Sequence, residues 1–161
     1  MKSVPGRPEG WKRTPGAYII LFSLPPLDDL SIGRLGTFDL PTGRYAYVGS
    51  AMNGLEARTA RHLRGTGKRR WHIDVLMAIA KEKEAVLLPS ALDIECSVAG
   101  FLRGIPGVSE PVRGFGSSDC RCRSHLFHLD DGAAATLRAD VLSKFLPDER
   151  DIRVLSRTRD W

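Results

Sequence analysis

The feature that most constrains the fold of this chain is an uninterrupted apolar run, GAYIILFSL, at residues 16–24. Tyrosine, isoleucine and phenylalanine favour strands, and an apolar run without polar alternation is typical of a strand buried on both faces. No apolar run in the chain approaches the roughly 18 residues that a membrane-crossing helix needs, so we expect no membrane partner. The run therefore predicts the central strand of a sheet inside a globular domain.

Two more strands are predicted before residue 50. The segments LSIGRLGTFDL, at 30–40, and RYAYVG, at 44–49, each follow a turn-forming stretch that contains proline. In the second segment Tyr45 and Tyr47 alternate with apolar residues, which places both tyrosines on one face of the strand. Three strands joined by short turns predict an antiparallel meander.

Four helices and two further strands complete the predicted fold. The first helix is expected at 53–65 with Asn53 as its N-cap, and a later one begins with a capping box formed by Ser90 and Asp93. The pattern indicates an α/β (α+β) domain with a small, mainly antiparallel sheet flanked by helices. The other predicted elements are helices at 69–80, 90–104 and 130–146 and strands at 84–89 and 124–129.

Residues 16–147 are predicted to form a single domain, preceded by a flexible lead-in at 1–15 and followed by a charged tail at 148–161. The lead-in is rich in glycine and proline and lacks the apolar stretch of a secretory signal. Three cysteines are too few for a disulfide scaffold, which indicates a reducing, cytoplasmic setting. The net charge of +5 gives a mild bias toward polyanions.

A basic segment of one sign follows the tyrosine-bearing strand. Between Arg58 and Arg70 there are six Lys or Arg residues and no Asp or Glu. Arg58 and His62 are four residues apart, so they share one helix face. One interpretation is a solvated basic face. The other is a surface for nucleic-acid phosphates, because like charges at this spacing repel each other and an isolated helix avoids them. The candidate phosphate contacts are Arg61, Arg64, Lys68, Arg69 and Arg70.

Glu95 is a candidate metal ligand. On its predicted helix the neighbours on the same face are Ala91, Val98 and Leu102, so its carboxylate is expected to point inward. A buried carboxylate is costly unless it is paired or bound to a metal ion. The alternatives are a glutamate at the edge of the apolar stripe or one paired with an arginine.

The segment DCRCRSH contains Cys120, Cys122 and His125, while Cys96 and His128 lie elsewhere in the chain. Zinc takes four nitrogen or sulfur ligands, usually with two to four residues between paired cysteines. The Cys-x-Cys spacing is short for that pattern. We therefore expect these residues to close a tight loop that packs near the helix of Cys96, with a zinc site as the alternative.

The sequence contains no P-loop, dinucleotide glycine fingerprint, HExxH motif or nucleophile elbow. It does contain, in this order, GAY and YVG on two predicted strands, a helix with Arg58 and His62, and a helix with Glu95. This order resembles the GIY-YIG nuclease superfamily. The stretches RRWHIDVL, IEC and FGSSDCRCRSHLF resemble its Uri-type endonuclease branch, also called DUF123. The resemblance covers about residues 14–130.

The resemblance implies a metal-dependent endonuclease that hydrolyses phosphodiester bonds in DNA, with RNA as the alternative substrate. It also implies an α/β fold with a small antiparallel sheet flanked by helices. Glu95 would bind a single divalent ion, magnesium or manganese.

The remaining implied roles belong to side chains around that ion. Tyr18 and Tyr47 would line the floor of the site, and one of them would orient or deprotonate the attacking water. Arg58 would hold the scissile phosphate, and His62 would assist proton transfer. Tyr45, on the same strand face as Tyr47, is expected at the rim of the site.

Two other functions stay open on the sequence. Many members of the superfamily carry a late asparagine in the site, whereas Asn53 is the single asparagine of this chain. The chain is therefore also consistent with a nucleic-acid-binding module of the same fold that cleaves poorly or not at all and assists a DNA-repair enzyme. A structural zinc protein with an incidental basic surface is the third interpretation.

Overall fold

The computed structural model describes residues 13–146 and the backbone of residues 153–156. A short 3₁₀ turn at Gly33–Leu35 joins its second and third strands. In chain order the elements are β1 Gly16–Leu24, β2 Leu27–Ile32, β3 Gly36–Leu40, β4 Gly43–Ser50, α1 Leu55–Arg64, α2 His72–Met77, β5 Lys81–Pro89, α3 Glu95–Arg103, β6 Val108–Ser109, β7 Leu126–Leu129, α4 Asp131–Phe145 and β8 Arg153–Ser156.

β1 is a central strand, as its apolar run predicts. It pairs with β4 on one side and with β5 on the other, both antiparallel. The main sheet has the strand order β6-β7-β4-β1-β5-β8, and each neighbouring pair is antiparallel. The predicted α/β architecture with a mainly antiparallel sheet and flanking helices is therefore confirmed.

The predicted three-stranded meander is wrong. The segment expected as one strand at 30–40 contributes to two strands, β2 and β3, which pair with each other as a separate hairpin. Gly33 and Gly36 bracket the turn of this hairpin with φ angles of +46° and +110°, which residues with a side chain rarely adopt. Because the hairpin leaves the main sheet, the strands that carry Tyr18 and Tyr47 become direct neighbours.

Helices cover both faces of the main sheet. On one face, α1, α2 and the β2–β3 hairpin pack over side chains that include Tyr18, Tyr45 and Tyr47. On the other face, α3 and α4 pack over side chains that include Ile19 and Val48. Successive residues of β1 therefore enter two different cores, which explains why the sequence of this strand is apolar throughout. Tyr45 and Tyr47 share one face, as their alternation predicts.

Two predicted helix starts are wrong. α1 begins at Leu55 behind Gly54, and Asn53 does not cap it. α3 also begins later than expected, because Ser90 and Asp93 each accept a hydrogen bond from the backbone N–H two residues further on and so form turns. The predicted amphipathic helix near the C-terminal end of the domain is confirmed as α4.

Most of the expected lead-in and most of the expected tail lie outside the described residues, so the predicted domain limits stay predictions. Within the tail, β8 pairs with β5 at one edge of the sheet. In the part of the chain that the structure describes, none of the helices has the length and apolar character that crossing a bilayer requires.

Candidate functional site

A cavity of about 300 Å³ lies at the end of the sheet where β1 begins and β4 ends. It brings together four residues that the sequence analysis singles out, namely Tyr18, Tyr47, Arg58 and Glu95. They come from β1, β4, α1 and α3, and the pairing of β1 with β4 is what places the two tyrosines side by side. The other lining residues are Ser50, Arg70, Trp71, His72, Gly116, Ser118 and Asp119.

Two glycines make room for the tyrosine rings, whose centroids lie 6.3 Å apart. Gly49 is opposite Tyr18 in the register of β1 and β4, and a Cβ atom at this position would overlap the Tyr18 ring. Gly116 has a φ of +67°, and a Cβ there would come within 2.9 Å of Tyr47 Cε2. The last glycine of YVG is therefore required by the close approach of a tyrosine ring.

The Tyr18 hydroxyl is hydrogen-bonded to His62. The distance from the oxygen to Nε2 is 2.8 Å, and the exposed fraction of His62 is 1%. Burial lowers the pKa of His62 to about 4, with Asp74 opposing the shift and Arg61 and Arg58 adding to it. Burial also raises the pKa of the Tyr18 hydroxyl, which Arg58 offsets only in part. Both groups are therefore neutral near pH 7.

Asp74 is a residue of this region that the sequence analysis missed. It lies in the first turn of α2 and accepts hydrogen bonds from the backbone N–H groups of Arg70 and Trp71, at 2.7 and 3.0 Å. It accepts two more from the guanidinium of Arg61, at 3.2 and 3.3 Å. Burial acts to raise the pKa of Asp74, but these hydrogen bonds outweigh it and hold the pKa below its usual value. Its Oδ1 lies 3.7 Å from Nδ1 of His62.

The structure divides the predicted phosphate contacts into two groups. Arg61 is held internally, because besides its bonds to Asp74 it donates to the Lys68 carbonyl at 2.6 Å. Its Cζ also lies 4.7 Å from the centroid of the Trp71 ring. The guanidinium of Arg61 therefore fixes the connection between α1 and α2. The other predicted contacts are exposed, namely Arg64, Lys68, Arg69 and Arg70.

Arg58 is held at the cavity wall by two contacts. Its Nη1 donates to the carbonyl of Ser50 at 2.9 Å, and its Cζ lies 4.6 Å from the centroid of the Trp71 ring. Trp71 thus stacks with two arginines, although its side chain is 38% exposed. Trp71 has no role in the site predicted from the sequence. A tryptophan directly after a basic run is the signal that could have indicated its contacts with the arginines.

Tyr45 lies in the core and not at the rim of the site, so that prediction is wrong. Its side chain is fully buried, its ring stacks on Phe22 at 5.8 Å, and its hydroxyl donates to the carbonyl of Pro41. Strand alternation predicts the face of a side chain but not how far along the strand a cavity extends.

Glu95 reaches the cavity from the first position of α3. The body of α3 packs on the sheet face opposite α1, but its first residue lines the cavity together with Arg58. Oε1 of Glu95 lies 3.0 Å from Nδ1 of His125. Burial acts to lower the pKa of His125, yet the hydrogen bonds to Glu95 and Cys122 together outweigh it and the pKa is raised. The expected apolar neighbours are present only in part, because Ala91 precedes the helix.

The cysteines come together with His125 in one cluster. Sγ of Cys96, Cys120 and Cys122 and a ring nitrogen of His125 all lie within 4.8 Å of one another, so these four residues could hold a metal ion. All three cysteines are free thiols. The preference for packing over zinc rested on the short Cys-x-Cys spacing, and the fourth ligand removes that objection. Cys96 lies on α3, so the loop of Cys120, Cys122 and His125 packs near the helix of Cys96, as predicted.

Comparisons with known proteins give one family. No curated protein and no solved structure matches the chain. The family described as "Domain of unknown function DUF123" has a model that matches residues 17–145, which include every residue of the cavity and of the cysteine cluster. Because this match covers well over half of the sequence, the chain belongs to the DUF123 family.

Proposed function

We propose that this protein is a metal-dependent endonuclease of the GIY-YIG type, which hydrolyses phosphodiester bonds in DNA. The observation that carries the proposal is the cavity itself, where Tyr18, Tyr47, Arg58 and Glu95 converge from four separate elements. Two hydroxyls, a fixed cation and a carboxylate are the groups that phosphate hydrolysis uses to orient water, hold phosphate and bind a divalent ion.

The donors in the cavity suit magnesium or manganese. Glu95 and Asp119 both line it, and carboxylate oxygens are the hard ligands that these ions prefer. Oε1 of Glu95 accepts the hydrogen bond from His125, and the second carboxylate oxygen would bind the ion. When bound, the ion would neutralise charge on the phosphate and on the leaving oxygen.

The pair formed by Tyr18 and His62 supports a role in handling the proton of the attacking water. With a pKa of about 4, His62 is neutral near pH 7 and can accept the phenolic proton through Nε2. Tyr18 then has its oxygen lone pairs available for the proton of a water molecule. Because burial raises the pKa of the phenol, Tyr18 orients the water and passes its proton on in a concerted step, without a standing phenolate.

Arg58 is suited to the scissile phosphate. A guanidinium is a planar fork of donors that matches phosphate oxygens, and the contacts with Ser50 and Trp71 fix its orientation in advance. Such preorganised charge stabilises a transition state without a reorganisation cost.

The exposed cations extend this surface away from the cavity. Arg70 lines the cavity, and Lys68 and Arg69 precede it on the exposed connection between α1 and α2. A nucleic-acid backbone that enters the cavity would pass along this connection, where each cation can contact a phosphate.

One observation favours a second candidate function. Burial raises the pKa of both cavity tyrosines, so neither supplies a ready base. A nucleic-acid-binding module of the same fold, which cleaves poorly and assists a repair enzyme, would have the same surface and the same cavity.

A cleavage panel distinguishes the two functions. Labelled duplex, single-stranded, branched and damaged DNA, together with RNA, would be incubated with and without magnesium or manganese. We expect cleavage that requires the ion, and we expect Glu95→Gln to lower its rate about 10²–10³-fold while DNA still binds. Glu82→Gln, a change in an exposed carboxylate outside the cavity, is the matched control. Binding without cleavage of every substrate would favour the binding module.

A further inference from the structure

The cluster of Cys96, Cys120, Cys122 and His125, called the cysteine cluster below, lies beside the proposed catalytic cavity but is not part of its chemistry. We infer that it is a structural zinc site with three thiolates and one imidazole as ligands. Four soft ligands with no place left for substrate are typical of a structural zinc site. This inference does not depend on the proposed nuclease activity.

The distances in the cluster fit a tetrahedral ion. With zinc–sulfur bonds of about 2.3 Å and a zinc–nitrogen bond of about 2.0 Å, a sulfur and a nitrogen ligand of one tetrahedral ion lie about 3.5 Å apart. Sγ of Cys120 lies 3.6 Å from Nε2 of His125. The sulfur atoms around one zinc ion lie about 3.8 Å apart, and the four ligand atoms of the cluster all lie within 4.8 Å of one another, so small movements of the side chains would place them around one ion.

The orientation of His125 is the second observation. Its Nδ1 is engaged by Oε1 of Glu95 at 3.0 Å, which leaves Nε2 as the nitrogen that faces the cysteines. A carboxylate on the far nitrogen of a metal-bound imidazole is the usual partner that fixes its tautomer and ring orientation. Glu95 therefore contacts both sites, as the expected ligand of the catalytic ion and as the partner of His125.

The backbone holds the ligands in place independently of a metal. The N–H of His125 donates to the Phe115 carbonyl at 2.8 Å, and its own carbonyl accepts from Val48 of β4 at 3.0 Å. The N–H of Cys120 donates to the carbonyl of Ser117 at 3.4 Å. The loop before β7 is thus fixed against the sheet, and the cysteine cluster connects it to the first turn of α3.

This connection gives the zinc ion a structural consequence. The same loop contributes Gly116, Ser118 and Asp119 to the cavity, and Cys96 directly follows Glu95. Zinc would therefore hold two walls of the cavity together, namely the start of α3 and the loop at 116–125. On binding, the thiols release their protons to solvent, so the affinity for zinc rises with pH.

The first experiment measures metal in the wild-type full-length chain, purified without chelator. Elemental analysis is expected to give one zinc per chain. Replacement of zinc by cobalt is expected to give the absorption bands of a tetrahedral thiolate site. Removal of zinc by a chelator is expected to lower the unfolding temperature and to increase amide hydrogen exchange in residues 114–125. Less than about one-tenth of an equivalent of zinc, an iron–sulfur absorption spectrum, or a disulfide between two of the cysteines would overturn the inference.

Variants test which side chains bind. Cys96→Ser is expected to weaken zinc binding at least about 100-fold, and Glu95→Gln, which leaves all four ligands in place, about 10- to 100-fold. Ser97→Ala, an exposed change one position from Cys96, is the matched control and is expected to keep zinc at the wild-type affinity. Wild-type zinc affinity in Cys96→Ser would overturn the four-ligand assignment. Because zinc content is measured without any substrate, loss of the nuclease proposal would leave this result unchanged.

Discussion

Two buried histidines flank the candidate site, each with a carboxylate near Nδ1, and their pKa values shift in opposite directions. Nδ1 of His62 lies 3.7 Å from Asp74, and burial lowers the pKa of His62 to about 4. Nδ1 of His125 lies 3.0 Å from Glu95, and this hydrogen bond together with one to Cys122 raises the pKa of His125 against the effect of burial. The exposed fraction is 1% for both histidines, so burial alone does not explain the difference.

The two carboxylates differ in the hydrogen bonds that they make with other groups. Asp74 is occupied by the guanidinium of Arg61 and by two backbone N–H groups, and Arg61 and Arg58 add positive charge near His62. Glu95 accepts a direct hydrogen bond from Nδ1 of His125. A carboxylate stabilises a charged imidazole when it bonds to it directly, and much less when its own charge is already balanced. His62 is therefore neutral near pH 7, and His125 is held by its hydrogen bond to Glu95.

The largest expected effect concerns the hydroxyls of the two cavity tyrosines, of which the Tyr18 hydroxyl contacts the neutral His62. Tyr18→Phe and Tyr47→Phe are each expected to lower cleavage about 10²–10⁴-fold, because a positioned proton-transfer group contributes about that much. For Tyr18→Phe the cost in stability should be about 1 kcal/mol, since the hydrogen bond to His62 is lost. Rates and denaturant midpoints measured on the same protein samples check both values.

Tyr45→Phe is the matched control for the tyrosine variants. Its hydroxyl bonds to Pro41 in the core, outside the cavity, so cleavage should stay within about twofold of the wild-type rate. If Tyr18→Phe and Tyr47→Phe also cut at the wild-type rate, the proposed role of the tyrosines in activating water is wrong.

The next largest effect concerns His62 and pH. The pKa of His62 is about 4 in the folded chain and 6.5 as its ordinary value in the unfolded chain. Between these two pH values the unfolded chain binds a proton at His62 and the folded chain does not. The stability associated with neutral His62 is therefore complete above pH 6.5 and is lost as the pH falls toward 4, by up to about 3 kcal/mol. Urea unfolding from pH 4 to 7.5 should show a flatter pH dependence for His62→Gln than for the wild type.

His128→Gln provides the comparison for this measurement, because His128 lies on β7 against the carbonyl of Thr42 and does not line the cavity. We expect its pH dependence to follow that of the wild type. If the pH dependence of unfolding in His62→Gln equals that of the wild type, His62 has an ordinary pKa in the folded chain. The contrast between His62 and His125 would then disappear.

The smallest effect concerns the cations that the structure leaves on the surface. Replacing Lys68, Arg69 and Arg70 together with alanine should weaken DNA binding and reduce the salt dependence of log K by up to about 3, roughly one for each lost phosphate contact. Binding titrations at several salt concentrations measure this slope. A pair of exposed lysines elsewhere, Lys81→Ala with Lys144→Ala, serves as the control, and a slope equal to the wild-type value in the triple variant would contradict the predicted surface.

Local patterns account for the parts of the fold that were predicted well. The apolar run at 16–24 predicts a strand buried on both faces, and the alternation around Tyr47 predicts the face of each tyrosine, because side-chain direction in a strand follows from backbone geometry. Two other predictions are wrong. The sequence predicted one strand where the structure has the β2–β3 hairpin, and it predicted an earlier start for α3. Turn formation by Gly33 and by Ser90 competes with the regular element, and local preference alone does not decide that competition.

The sequence by itself determined the types of residue that the site contains, because tyrosines, an arginine, a histidine and a glutamate occur in a recognisable order. Only the tertiary structure decided how their charges are balanced. Asp74 becomes the partner of Arg61 because α2 packs beside α1. Cys96 joins Cys120 and Cys122, more than twenty residues away, because α3 starts next to the loop before β7. Such contacts depend on the packing of elements distant in the chain, and no local spacing in the sequence encodes them.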